Sequence, residues 1–141
     1  MAGSILLKPA RITSTREWDD IVATNLLLST AAARVGLANH DAIAAAKAGV
    51  EGLARSAAAT CAPRRVRINV VAPGLVRTPL AARLVANEAS LKASEAMHPL
   101  GRMGEPDDVA SLIEYLLDPE HAWLTGQVFG IDGGLSTLRP R

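Results

Sequence analysis

The run Val66-Arg-Ile-Asn-Val-Val-Ala72 limits the fold more than any other stretch of this chain. Its β-branched residues cluster and Pro73-Gly74 stops it at once, so it reads as a buried β-strand. A strand of that kind sits in a sheet covered by helices, and the neighbouring segments supply them. From about Asn39 to Ala62 the residues Ile43, Ala46, Val50, Leu53, Ala54, Ala57 and Cys61 follow the 3.6-residue period. Asn39 or Asp41 is available as cap and Pro63 ends this helix, the longest in the chain. A further helix is predicted from Leu80 to Ala96, then a loop around His98-Pro-Leu-Gly-Arg-Met-Gly104. Glu105-Pro106 opens another helix to about Leu117, with proline suited to the first turn. Gln127-Val-Phe-Gly-Ile-Asp132 is a last strand that ends in Gly133-Gly134.

The amino-terminal third is harder to read. Met1 to Pro9 is a loop or strand remnant. Ser14 to Asn25 opens on a Ser/Thr cap and places Trp18, Ile21, Val22 and Asn25 at helical spacing, which predicts a helix with an apolar stripe. Leu26-Leu-Leu-Ser29 is too short to assign between a helix end and a strand, and small residues follow from Thr30 to Gly36. The resulting order, helix, helix, strand, helix, helix, strand, is that of an α/β layer protein with a parallel sheet. Val66–Ala72 and Gln127–Asp132 should lie parallel, with the Asn39–Ala62 helix against them.

Composition narrows the function. With 141 residues there is room for one domain, spanning 1–141. Fifteen Lys+Arg against fourteen Asp+Glu, mostly scattered, leave no electrostatic footprint for nucleic acid. Cys61 is the single cysteine, so the chain has no internal disulfide or thiolate metal site, and its simplest role is that of a buried small hydrophobe. His40, His98 and His121 lack the spacing of metal ligands, so no metal is expected. No apolar run approaches the ~18 residues that span a bilayer and no signal pattern opens the chain, which places it in the cytoplasm by default. The 26 alanines against four aromatics, Trp18, Tyr115, Trp123 and Phe129, predict elements packed closely through small residues.

Three segments carry a family likeness. Pro73-Gly74-Leu-Val-Arg-Thr78-Pro, Gly101-Arg-Met-Gly-Glu-Pro-Asp-Asp-Val-Ala110 and Leu124-Thr-Gly-Gln-Val-Phe-Gly-Ile-Asp-Gly-Gly134 stand in the order and spacing of the C-terminal half of short-chain dehydrogenases/reductases. Ala44-Ala-Ala-Lys47-Ala-Gly-Val resembles the segment around that family's active-site lysine. Ala2-Gly3 resembles the end of its Asn-Asn-Ala-Gly turn, and Trp18-Asp-Asp to Asn25-Leu the helix with its active-site asparagine. The resemblance implies a partial Rossmann-like, doubly wound layer with a parallel sheet reduced in strand number. It covers nearly the whole chain but only the later half of a fold that normally takes about 250 residues. The Gly-rich turn that holds a pyrophosphate at a helix N-terminus belongs to the first half, and these residues contain no G-x-G-x-x-G. Only three residues separate Asn25 from Ser29-Thr30, where the family continues its helix and adds a central strand, so an internal deletion is expected as well.

The family's reaction is hydride transfer between a nicotinamide and a carbonyl or alcohol. The resemblance implies that Lys47, Thr30, Asn25 and the adjacent Ser29 occupy catalytic positions. It implies that Lys47, Pro73, Gly74, Val76 and Thr78 contact NAD or NADP. A tyrosine four residues before the lysine normally exchanges the proton, its pKa of about 10 lowered by the ammonium. Ile43 stands there and has no proton to exchange. Tyr115, the only tyrosine, reads as a core or interface residue, whereas His40, three residues before Ile43, reads first as an exposed helix-start histidine and otherwise as a candidate displaced acid. The expectation is an NAD(P)-linked oxidoreductase of a small carbonyl or alcohol, with cofactor binding weak or lost and activity impaired in this chain alone. The alternative is a non-catalytic remnant that assembles with itself or with a full-length relative through the small-residue face of Ala45, Ala48, Gly49 and Gly52.

Overall fold

The computed structural model describes residues 24–139. The predicted Ser14–Asn25 helix and the Ala2-Gly3 turn lie outside that range, apart from its last two residues. Among the described residues a three-stranded sheet forms in the order β1 (Thr24–Leu28), β2 (Arg67–Pro73), β3 (Val128–Ile131), and both pairings are parallel. The parallel α/β layer is therefore as the sequence predicts. Three helices connect and flank the strands: α1 (Asp41–Cys61), α2 (Glu88–Met97) and α3 (Pro106–Leu117).

β2 is the central strand of the three, and six of its seven residues, Arg67 to Ala72, are buried. Ile68 and Val70 point to one face and pack on Ala54 and Ala58 of α1, with Leu27, Ala57, Cys61, Val66 and Val128 around them. The alanines let the helix backbone come close to the sheet, as the small-residue composition predicts. On the other parity of the strand, Asn69 is fully buried and ties the sheet to the loop before β3. Its Nδ2 donates to the Leu124 carbonyl at 2.9 Å and its Oδ1 accepts from the Gln127 N–H at 3.2 Å.

Five expectations are corrected. Asn25 is in a strand, backbone-paired with Ile68, because Thr24–Leu28 finds the edge of β2. That same strand overturns the expectation of a missing one: Leu26-Leu-Leu, ambiguous in sequence, supplies it. The Leu80–Ala96 helix is broken into a 3-10 turn at Ala81–Arg83 and α2, since Asn87 caps α2 in a reciprocal box with Ser90. The stripe of α1 is rotated as well. Lys47, Glu51, Ala54 and Ala58 line the inner side, while Ile43 and Leu53 are 46% and 63% exposed. Cys61, expected to be buried, is half-buried at the rim of the core.

Candidate active site at the carboxyl ends of the strands

All three strands end on the same side, where open parallel sheets bind ligands. β1 continues its pairing through the Ser29 N–H, which donates to the Val71 carbonyl at 2.8 Å, and the chain then turns at Thr30. Thr30 has an extended backbone and caps the 3-10 turn Ala31–Ala33. Its Oγ1 lies 3.4 Å from the Pro73 carbonyl, so the end of β1 and the end of β2 meet at this hydroxyl. Lys47 reaches the same region from α1. Its Nζ donates to the Leu28 carbonyl at 2.9 Å, which leaves two ammonium protons for another acceptor.

The two candidate hydroxyls do different things. Ser29 is buried and its Oγ donates to Glu51 Oε1 at 2.8 Å, between sheet and helix. Thr30 is the one beside Pro73 at the strand ends. Asn25 is three residues back along β1, about 10 Å from the strand end at the usual rise. Ile43 lies one turn before Lys47 on α1 and brings no ionisable group to the site. His40 is the N-cap of α1, seven residues before Lys47 and so about 10 Å away along the axis. Its Nδ1 is 2.8 Å from the Ala38 carbonyl. Tyr115 stacks on His121, with ring centroids 3.6 Å apart, on the helix that ends at Leu117. Leu117 lines a cleft with Val66 and Arg67 at the start of β2, so Tyr115 belongs to the opposite end of the sheet.

After Pro73 the chain is held close to the end of β3. The Gly74 N–H donates to the Ile131 carbonyl at 3.1 Å, and Val76 makes a parallel bridge to Gly104. Gly74 has no room for a side chain, since a Cβ would lie 3.0 Å from Asp132 Cα and 2.7 Å from His98 Nε2. Val76 and Gly74 line a cleft of about 160 Å³ with His98, Arg102, Gly104 and Asp132. Thr78 is exposed, and its Oγ1 accepts from the Ala81 N–H at 3.2 Å. Arg102 forms a two-pronged pair with Asp108, at 2.7 and 2.9 Å, and the Glu105 N–H adds a third bond to that carboxylate. These bonds hold the Asp108 carboxyl down to about 2, the guanidinium being the larger cause and the backbone N–H the next.

Metal-ligand spacing, the one sequence test that bears on His98, says nothing of its place in the fold. His98 is 2% exposed and joins two backbone segments. Its partner Leu75 is 23 residues away, and no local pattern signals the contact. Among the described residues no group of three or more His, Cys, Asp or Glu could hold a metal. No described helix is long and apolar enough to cross a membrane.

The fold is an α/β layer of the doubly wound kind, and its parallel strands all end on the side where such sheets bind ligands. A family model described as Enoyl-(Acyl carrier protein) reductase matches residues 8–136. The chain belongs to the short-chain dehydrogenase/reductase family. It is 45% identical over 92 residues to the 3-oxoacyl-[acyl-carrier-protein] reductase FabG of Thermotoga maritima, covering 65% of this chain and 37% of that protein. The FabG of Vibrio cholerae is 36% identical over 142 aligned positions, 84% of this chain and 57% of the relative, so that alignment contains gaps on this chain's side. A short-chain type dehydrogenase/reductase from Mycobacterium ulcerans superposes with a TM-score of 0.79 at 28% identity, over 89% of this chain and 47% of the other. A 4-hydroxyisoleucine dehydrogenase solved with NADH shares the fold, with a TM-score of 0.78 at 22% identity over 98% of this chain and 67% of that one. The chain spans about half the length of the curated relatives it matches, 37% to 60%.

Proposed function

We propose that this chain is the carboxyl-side part of an NAD(P)-linked oxidoreductase for a small carbonyl or alcohol, and that by itself it is a poor or inactive dehydrogenase. One observation supports the reading most: Thr30, the Lys47 ammonium and the Pro73–Gly74 turn converge at one end of the sheet. Residues on this side fit the nicotinamide end of the cofactor. Val76 and Thr78 follow the Pro73–Gly74 turn, and Lys47 has donors to spare for a ribose. Nothing in these 141 residues has the form of a phosphate-binding G-x-G-x-x-G turn. The cofactor, when bound, would supply the hydride. The chain's own contribution is to hold the substrate oxygen at Thr30 and to orient the ribose at Lys47. What it lacks is a proton donor at Ile43, since an alkyl side chain cannot protonate a developing alkoxide. The cytoplasm is the proposed site of action.

Turnover of NADH and NADPH with small carbonyls tests this reading, comparing the natural chain with Ile43→Tyr and with Ile43→Tyr/Lys47→Ala. The natural chain should stay at the blank rate, Ile43→Tyr should gain activity, and the double variant should lose the gain. Turnover by the natural chain at the ordinary enzymatic rate of about 1 s⁻¹ or more would overturn the impaired reading and turn attention to His40.

The assembly reading has observations of its own. Leu28, on the opposite parity of β1 from the core residue Leu27, is half-exposed. Ala45, Ala48 and Gly49 are exposed on the outer side of α1, and no atom would lie within 4 Å of a Cβ at Gly49. A second copy, or a full-length relative, would cover such a face by close helix contact.

A further inference from the structure

The segment that leaves β2 must find partners for its backbone donors beyond the sheet. Gly74 N–H is satisfied by the Ile131 carbonyl, whereas Leu75 N–H points at a side chain and donates to His98 Nε2 at 3.1 Å. A backbone N–H can only donate, so Nε2 must be the unprotonated ring nitrogen. On the other side Nδ1 lies 2.7 Å from the Ser94 carbonyl, which can only accept, so Nδ1 carries the proton. The network thus assigns His98 one neutral tautomer, bridging the last turn of α2 to the turn after β2. Among the described residues it is the one side chain bonded to the backbone of residues 74–77. Its ring also fills the space over Gly74 and lies against Gly133, where an added Cβ would be 3.4 Å from His98 Cβ. Leu75 O and Arg77 N–H bond the backbone of Gly104, so His98 holds the one backbone donor between the Gly74–Ile131 bond and that bridge.

We infer that His98 is a positioning residue for the nicotinamide side of the site: it sets the course of the Gly74–Thr78 backbone through the Leu75 N–H. This rests on the reading of that segment as cofactor-facing. A merely space-filling role would not depend on which ring nitrogen accepts.

Two substitutions of the full chain separate the cases. His98→Gln can place a carbonyl oxygen near the Nε2 position and keep an acceptor for Leu75 N–H. His98→Asn keeps a donor near Nδ1 and loses that acceptor. Amide hydrogen exchange and the shifts of the Val76 and Thr78 amides on titration with NADH, NADPH and reduced nicotinamide mononucleotide are the readouts. In His98→Asn the Leu75 amide should exchange about tenfold faster or more, and nucleotide binding should weaken about fivefold or more. His98→Gln should stay within about twofold of the natural chain on both, an acceptor-dependent rescue in line with the worth of one hydrogen bond. Equal effects of the two variants, or none, overturn the inference while leaving the cofactor reading standing. If the Val76 and Thr78 amides of the natural chain respond to no nucleotide even well above millimolar concentration, the cofactor reading falls and this role falls with it. Should His98→Asn fail to fold, long-range proton–nitrogen spectra of the natural chain decide the matter. A proton on Nδ1 with a protected Leu75 amide supports the inference, and a proton on Nε2 or an unprotected Leu75 amide overturns it.

Discussion

Substitution at Gly49 separates a lone chain from an assembling one by the sign of its effect. Gly49 is in the middle of α1 on its outer side, and a Cβ there meets no atom within 4 Å. In an exposed helix interior, replacing glycine by alanine gains about 0.8–1 kcal/mol, and leucine gains nearly as much. For a chain of this size that raises the Tm by about 3–6 °C. Gly49→Ala and Gly49→Leu should therefore stabilise an isolated chain alike. A second helix packed against Ala45, Ala48, Gly49 and Gly52 changes the balance. Leucine would overpack such a contact by roughly 1–3 kcal/mol, enough to cancel or reverse the propensity gain, whereas alanine would add little volume. The account predicts that Gly49→Leu shifts sedimentation toward monomer or aggregate and lowers the Tm most at high protein concentration. Gly49→Ala should keep the assembly. A monomeric natural chain, with both variants raising the Tm equally at every concentration, would refute the assembly reasoning.

Other substitutions read out the fold. Asn69→Ala takes the Asn69 partner from the Gln127 N–H and leaves the Leu124 carbonyl only the longer contact with Arg67 Nη1, at 3.4 Å; a loss of about 1–3 kcal/mol in all is expected, and urea denaturation should show it without a change in m. Gly74→Ala forces a Cβ toward His98 Nε2 and Asp132 Cα; a cost of roughly 1–3 kcal/mol is expected, with amide shifts concentrated at Leu75 and Gly133. Asp108 titrates at about 2 when folded, against 3.8 as its ordinary value. Its pair with Arg102 therefore contributes fully above about pH 4, and that contribution fades as the pH falls toward 2. Asp108→Asn should flatten the stability profile in that window, and an unchanged slope in urea midpoints from pH 4 to 2 would count against the pairing.

Punctuation explains which elements could be read in advance. Pro73-Gly74 ends β2 and Glu105-Pro106 starts α3, and both boundaries fall within a residue or two of their predicted places because proline acts locally. β1 carries no such signal. Leu26-Leu-Leu is made a strand by the edge of β2, a partner about forty residues away that periodicity cannot reveal. Asn87-x-x-Ser90 was a readable cap inside the predicted 80–96 helix, but the helix-forming residues on both sides masked it. The inner face of α1 followed close approach by Ala54 and Ala58, not side-chain size, which left the larger Ile43 and Leu53 outside. At the site, Lys47 and Pro73-Gly74 were legible as motif residues. The separate roles of Ser29 and Thr30 depend on register, and the His98 bridge depends on tertiary contact.

The central claim is that these residues supply the nicotinamide end of a cofactor site and no phosphate cradle. Isothermal titration of the purified chain with NADH and with NADPH tests it most directly. The account predicts a Kd in the millimolar range or weaker, about 4 kcal/mol of binding free energy at most. Micromolar binding, worth about 8 kcal/mol, would contradict it by showing that this chain holds the phosphates as well.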